Sequence, residues 1–455
     1  MRSRRVRRGH PAGKAAVAGT QGESLTVTVL RVGAGGDGIA EHAGRRLYIP
    51  LTVPGDRIRV QPGYARGDEQ AAEVVELLSP GPGRAKPPCP HFGRCGGCSL
   101  QHMATEDYGT WKSGRIPEAL ERAGLNGYDR APLVTVPPGA RRRATFAAIG
   151  IGNSALRTAA VGFHVRRGHG VVDLFGCDVV DPRIVRLVPA LRTLLAGLLG
   201  AHKRASVSVT LLDGGLDVVL EWPETLTLET REALAAFATT ADVARLSWRR
   251  SAGDSAEPVV QRRPVAATFA GVRVALPPGG FLQATCEGED ALVADVIAAI
   301  APAPGGAAGI AGKPPRNIAD LFSGAGTFTF PLAKAGMRVH AVDTDAASLQ
   351  AIMAVREVGG ITTEPRDLFA RPFSASELRR FDAVVFDPPR AGARAQAEEL
   401  AGSAVPVIAA VSCNPSTFAR DARILAAGGY RLERVTPVDQ FLWSPHLELV
   451  ASFRR

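Results

Sequence analysis

The stretch Asp320-Leu321-Phe322-Ser323-Gly324-Ala325-Gly326-Thr327-Phe328 closes an apolar run that begins at Asn317, and it decides how the second half of the chain folds. Glycines at 324 and 326 let a backbone leave a strand in a sharp turn and approach a ligand closely. A second apolar run, R-V-H-A-V-D, ends on Asp343, where a carboxylate can accept hydrogen bonds from both hydroxyls of a ribose. Two further runs, F-D-A-V-V-F-D (381–387) and V-P-V-I-A-A-V-S (405–412), follow with helical stretches between them. Strands that alternate with helices predict an α/β fold with a parallel, doubly wound sheet. A loop that cradles a pyrophosphate carries a third glycine in G-x-G-x-x-G. Here Gly326 is followed by T-F-T, which suits a nucleoside cofactor without pyrophosphate, such as S-adenosylmethionine.

Ligands of open α/β sheets bind at the carboxyl ends of the strands. Two of those ends are chemically loaded: Asp387-Pro388-Pro389-Arg390 and Ser412-Cys413-Asn414-Pro415. A buried cysteine alone means little, but Cys413 at a strand end beside the cofactor loop is a nucleophile candidate. Further on, Glu448 sits in the apolar stretch L-E-L-V, where burial raises a carboxyl pKa and makes a base available near neutral pH. The alternative for Glu448 is a carboxylate facing water on an edge strand, which spacing does not exclude.

Upstream, residues 23–79 read as short β-strands with Gly and Pro turns, beginning with the alternating L-T-V-T-V-L-R-V at Leu25–Val32. Such a pattern predicts a small barrel of the OB type. The Pro/Gly linker S-P-G-P-G-R-A-K-P-P-C-P (79–90) runs into a cluster of thiols, Cys89, Cys95 and Cys98, with Cys177 as a distant fourth. Four thiolates can hold zinc or an iron–sulfur cluster, and spacing alone does not choose. Cys286 is left over and is expected to be a small core residue. Residues 105–124 read as a helix, and 131–280 as mixed strands and helices, with Arg141-Arg142-Arg143 ahead of one strand.

The chain has 455 residues, 45% hydrophobic and 22% charged, which predicts a globular protein of several domains. Its formal net charge of +10 favours a polyanionic partner such as nucleic acid. No apolar run is long enough to span a membrane, and the N-terminal stretch, rich in Arg and without an apolar core, is not a secretory signal. The expectation is a cytoplasmic, monomeric protein.

With the glycine loop, D-P-P-R, S-C-N-P and F…H-x-E in this order, the sequence resembles the RNA uracil-C5 methyltransferases over nearly its whole length. The resemblance implies a Rossmann-like S-adenosylmethionine domain in which Cys413 is the nucleophile and Glu448 the base. It implies cofactor contacts by Gln283 (in G-G-F-L-Q), Phe322, Thr327, Asp343 and Asp367, with Asp387 at the boundary of uracil and cofactor. The barrel resembles a TRAM domain, and C-P-H-F-G-x-C-G-G-C resembles the iron–sulfur segment of the ribosomal-RNA branch. This implies a [4Fe–4S] cluster on Cys89, Cys95, Cys98 and Cys177, and ribosomal RNA ahead of transfer RNA as substrate. Two departures stand out: the family's F-P-x-T-x-H-x-E is here F-L-W-S-P-H-L-E, and Thr327 replaces a frequent Asn.

The expected division is a disordered basic tail at 1–20 and an RNA-binding barrel at 21–82. A central cluster-holding domain follows at 83–100 and 131–280, with the catalytic domain at 101–130 and 281–455. Two other functions share some of these features. Cytosine-C5 methylation uses the same thiolate logic, but its cysteine commonly follows proline, unlike Ser412-Cys413. A non-catalytic RNA-binding factor has no chemical need for the cofactor loop, Cys413 and Glu448 together.

Overall fold

A computed structural model describes residues 23–152, 157–301 and 316–455; the expected tail at 1–20 lies outside the described residues. The described residues form two compact units, one of 23–86 with 102–104, the other of 87–101 with the described residues from 105 to 455.

In the first unit six strands form one sheet, in the order Leu25–Thr28, Arg57–Arg66, Glu69–Ser79, Arg45–Ile49, Gly38–His42 and Arg31–Val32. Alternation along these strands turns Val27, Leu47, Ile49, Ile58 and Val60 into one small core. Asp56 is fully buried at its edge, where Arg84 Nη2 donates to its carboxylate at 2.5 Å and Gly81 N–H donates at 2.8 Å.

The second unit contains two large sheets. A seven-stranded sheet runs in the order 171–173, 157–164, 143–152, 204–212, 215–221, 243–249 and 257–261. Helices Val188–Leu198 and Leu228–Thr240 contribute to its core. The second sheet carries the site. Its order is 361–365, 338–343, 317–321, 383–386, 407–412, 448–454, 431–439 and then 129–130, with 134–135 also pairing to 431–439. The first five strands are parallel, as the alternating pattern predicts.

The sheet is nevertheless mixed rather than parallel throughout: 448–454 runs antiparallel between 407–412 and 431–439. Strands 431–439 and 448–454 are joined by only eight residues, too few for the crossover that parallel neighbours require. Both faces of this sheet are covered. Ile408 and Ala410 face the helices Thr105–Arg122, Arg394–Ala401 and Pro415–Ala427, while Val407, Ala409 and Val411 face the helix Cys286–Ile300. This accounts for the near-continuous apolar run of that strand. Cys286, expected in the core, is exposed in the first turn of its helix, because the apolar face of that helix starts at Leu292.

Among the described residues, no helix is long and apolar enough to cross a membrane.

Candidate active site

The glycine loop follows the strand Asn317–Leu321 at the point where the sheet order reverses, between 338–343 on one side and 383–386 on the other. Gly326 has φ +100°, and a Cβ there would stand 2.6 Å from the Phe330 ring, so the position admits only glycine. Phe322 itself adopts φ +62°, a strained conformation for a side-chain-bearing residue, and its ring packs 5.5 Å from that of Phe369. Asp343 shapes the loop: Oδ2 accepts the Gly324 N–H at 2.9 Å and Oδ1 accepts the Asp345 N–H at 2.8 Å. Asp367 Oδ1 accepts the N–H groups of Phe369 and Ala370 at 2.9 and 3.2 Å.

A cavity of about 830 Å³ opens beside this loop, and Phe322, Gly324, Asp343, Asp367 and Phe369 line it there. This set offers aromatic faces and carboxylates with no cluster of phosphate-binding cations, which fits a nucleoside such as that of S-adenosylmethionine. Gln283 and Asp387 also line the cavity; Thr327 is buried and does not.

Cys413 and Glu448 reach the same cavity from neighbouring strands. The register between these strands ends at Ser412 opposite Leu449, so its continuation brings Cys413 opposite Glu448. The S-C-N-P sequence builds this corner. Ser412 ends the strand, and Asn414 caps the helix Pro415–Ala427 by accepting the Ser416 N–H at 3.1 Å. Pro415 occupies the first helical turn, where its missing N–H costs nothing. Asn414 Nδ2 also donates to the Arg390 carbonyl at 3.2 Å, linking S-C-N-P to D-P-P-R.

Burial, with Glu448 and Asp387 adding repulsion, pushes the Cys413 thiol up to about 12, so the thiol is neutral at rest. Burial likewise raises the carboxyl of Asp387, and burial together with the Asp387 charge raises that of Glu448. His446 moves the other way: burial and then Arg390 lower it to about 4, and its neutral Nδ1 accepts from Arg390 Nη2 at 3.1 Å.

Two buried glutamines connect the carboxylates. Gln283 Nε2 donates to Asp387 Oδ2 at 3.0 Å, while Gln440 Nε2 donates to Gln283 Oε1 at 2.8 Å and to Glu448 Oε2 at 3.1 Å.

Three groups important to this geometry were not among the site residues expected from the sequence. Arg143 lies 4.5 Å from the Phe281 ring on the cavity wall, and its Nε is buried without a partner. Gln440 is the second. Lys112, fully buried, is the third. Its Nζ lies 2.7 Å from Asp439 Oδ1 and donates to the carbonyls of Phe441 and Ser444 at 3.1 and 2.7 Å. Tyr108 Oη donates to Asp439 Oδ2 at 2.5 Å and accepts the Trp443 N–H at 2.9 Å. These contacts hold the F-L-W-S-P-H loop, in which Trp443 has φ +56°. On its other side, the Ser99 and Leu100 N–H groups both donate to the Trp443 carbonyl, at 2.9 and 3.1 Å.

Cys89, Cys95, Cys98 and Cys177 also line this cavity. Among the described residues, no group of three or more His, Cys, Asp or Glu side chains forms a site for a metal ion. The four sulfurs are nevertheless within electrostatic reach of one another. Burial and then the other three sulfurs push the Cys98 thiol up to about 12. Gly97 N–H donates to Cys95 Sγ at 3.4 Å, and the Val179 and Val180 amides face Cys177. N–H groups aimed at sulfur favour the thiolate form.

The tRNA (uracil-5-)-methyltransferase family model matches residues 368–454, which include Cys413 and Glu448. A Brucella suis protein named as an uncharacterized RNA methyltransferase is 42% identical over 95% of this chain and 98% of its own length. The 23S rRNA (uracil(1939)-C(5))-methyltransferase of Yersinia enterocolitica is 30% identical over 95% of this chain and 96% of its own. Among solved structures, the tRNA (uracil-54, C5)-methyltransferase of Pyrococcus abyssi, in complex with S-adenosyl-L-homocysteine, superposes with a TM-score of 0.67. It is 21% identical, over 94% of this chain and 100% of that one, and shares the fold.

Proposed function

The chain belongs to the S-adenosylmethionine-dependent RNA uracil-C5 methyltransferases, and on that premise we propose that it methylates C5 of a uridine in 23S ribosomal RNA with Cys413 as nucleophile and Glu448 as base. The observation that carries the mechanism is the placement of Cys413 across from Glu448 in the cavity that also holds the glycine loop. The large-subunit RNA named for the Yersinia relative supports the substrate.

Carbon 5 of uracil is a poor nucleophile until a thiolate adds at C6. Cys413 gives up its thiol proton to solvent, its thiolate bonds through Sγ to C6, and the C5=C6 electron pair moves onto C5 and O4 as an enolate. Bound S-adenosylmethionine supplies the methyl group taken up by C5. Glu448 then removes the C5 proton, the pair re-forms C5=C6, and the C6–S bond breaks to free Cys413. Asp343, Asp367 and Phe322 hold the nucleoside of the cofactor in this reading, and Gln283 and Asp387 stand between cofactor and uracil. The target nucleotide must leave its stack to reach Cys413. Arg143 and Phe281 offer it a donor and an aromatic face.

The reading extends to the rest of the chain. The six-stranded sheet serves as an OB-like, TRAM-type RNA-binding barrel. Cys89, Cys95, Cys98 and Cys177 hold a [4Fe–4S] cluster with a structural or RNA-positioning role, since methyl transfer moves no net electrons. The protein acts as a monomer in the cytoplasm.

The test is to incubate purified protein with unmodified 23S ribosomal RNA or transfer RNA and labelled S-adenosylmethionine, then to identify methylated nucleosides by mass spectrometry. 5-Methyluridine in ribosomal RNA, absent with Cys413→Ala, is the expected result. 5-Methyluridine in transfer RNA would overturn the substrate. Another methylated nucleoside, or unimpaired activity of Cys413→Ala, would overturn the mechanism.

A further inference from the structure

We propose that Gln440 is a positioning residue for the last step of the reaction: its amide holds the Glu448 carboxylate in place for proton removal and ties it through Gln283 to the cofactor side of the cavity. The proposal rests on the reading of Glu448 as the base.

The direction of this hydrogen-bond chain is fixed at one end by the backbone. Ala284 N–H donates to Gln440 Oε1 at 3.0 Å, so the Gln440 oxygen must face Ala284 and its two N–H donors must face away. Those donors meet Gln283 Oε1 at 2.8 Å and Glu448 Oε2 at 3.1 Å. With its oxygen engaged, Gln283 turns its own Nε2 toward Asp387 Oδ2 at 3.0 Å. Reversing either amide would set an oxygen against a carboxylate in a region where Gln283, Gln440 and Glu448 are all buried.

The fold also makes room for this amide. Gly288, in the first turn of the helix Cys286–Ile300, lies against it: a Cβ there would come within 2.8 Å of Gln440 Cβ and 3.0 Å of Oε1. The charged and titratable groups facing Glu448 are Asp387 at the end of one strand, Cys413 at the end of the next, and Arg143 on the seven-stranded sheet. Asp387 disfavours the ionised carboxylate, as does burial, while Gln440 and Arg143 favour it. Without the Gln440 donor, Glu448 stays protonated to higher pH and is free to turn away from C5.

Losing Gln440 should therefore slow the removal of the C5 proton. Until that proton goes to Glu448, the electron pair cannot re-form C5=C6 and the C6–Sγ bond to Cys413 cannot break. The blocked species is a methylated RNA still joined to the protein.

The experiment compares wild type, Gln440→Met and Glu448→Gln as full-length, cofactor-supplied enzymes on unmodified ribosomal RNA. It measures denaturation-resistant protein–RNA adduct, product release from pH 6 to 9, and affinity for S-adenosylhomocysteine. Gln440→Met should release product about 10- to 100-fold more slowly, the effect of one hydrogen bond to a charged group. Its adduct should accumulate, and the acid limb of its pH profile should move upward by about one unit, with cofactor affinity retained. Gly288→Ala, which displaces the amide without deleting it, should give the same signature more weakly, and it carries the test if Gln440→Met fails to fold. If Glu448→Gln accumulates adduct while neither other variant does and their pH profiles match wild type, the role of Gln440 is overturned. If Glu448→Gln accumulates none, the assignment of the base falls first.

Discussion

Cys413 stands opposite Glu448 across an antiparallel pair, one step beyond the Ser412–Leu449 contact, so a thiol and a carboxyl group reach one cavity from adjacent strands. Rigid strands place the two groups more precisely than loops would. The same closeness makes each group sensitive to the charge of the other.

The thiol should report that coupling. Cys413 is pushed up to about 12 by burial, with Glu448 as the largest charged contributor. In the cofactor-free enzyme its alkylation by iodoacetamide should be slow at neutral pH and rise steadily with pH. Glu448→Gln, which removes the repelling charge, should speed modification of this one cysteine at alkaline pH, where Glu448 is ionised, and matter less as pH falls. Peptide mass spectrometry that separates Cys413 from exposed Cys286 checks this; an unchanged rate would show that the two groups do not interact.

Glu448 should also make the empty site unstable. Its folded pKa is raised above the ordinary carboxyl value, so the folded state binds more protons than the unfolded state between the two. Stability from this group is therefore present below the unfolded pKa and is lost as pH rises through the folded one. Glu448→Gln should be inactive yet more stable than wild type at pH 8, by about 1 kcal/mol or more, with the difference shrinking toward pH 5. Thermal melts at both pH values measure it. A destabilised variant at pH 8 would contradict the sign.

The Lys112–Asp439 pair behaves differently, because each partner is fully buried and the remaining bonds of Lys112 go to Tyr108 Oη and to the F-L-W-S-P-H loop. Lys112→Met leaves Asp439 buried with only Tyr108 and a backbone N–H, and should cost about 3–5 kcal/mol. The double variant with Asp439→Asn should lose less than the sum of the singles. Urea titrations of the four proteins close the cycle, and additive losses would mean that the pair is not coupled.

The parts of the site legible in the sequence are those written as contiguous motifs at strand ends. The glycine loop, D-P-P-R and S-C-N-P each combine a strand terminus with residues whose backbone needs are local: Gly326 for its turn, Asn414 for its cap, Pro415 for the first helical turn. What stayed hidden depends on contacts between distant segments. Nothing local to Lys112 announces a carboxylate 327 residues away at Asp439. Gln440 acquires its role only when Ala284, Gln283 and Glu448 surround it. The strand Ile361–Pro365 escaped because I-T-T-E-P is too polar to read as a buried strand, lying as it does at the edge of the sheet. The antiparallel insertion of 448–454 is likewise a matter of topology that periodicity does not encode. Cys286 was misjudged because cysteine is usually buried, whereas here it begins a helix on its outward side.

The loop around Trp443 bears on how the molecule is made. Its carbonyl receives the Ser99 and Leu100 amides, and its N–H is bonded to Tyr108, 335 residues earlier in the chain. During synthesis the thiol-bearing segment and the helix that follows it leave the ribosome long before the partner that secures them. Until residues 439–448 have been translated, the cavity lacks a wall and the Glu448 carboxyl. A nascent chain that ends before residue 439 thus lacks both Asp439 and Glu448, and its cavity is incomplete. The same long sequence separation predicts slow maturation and a period of dependence on chaperones.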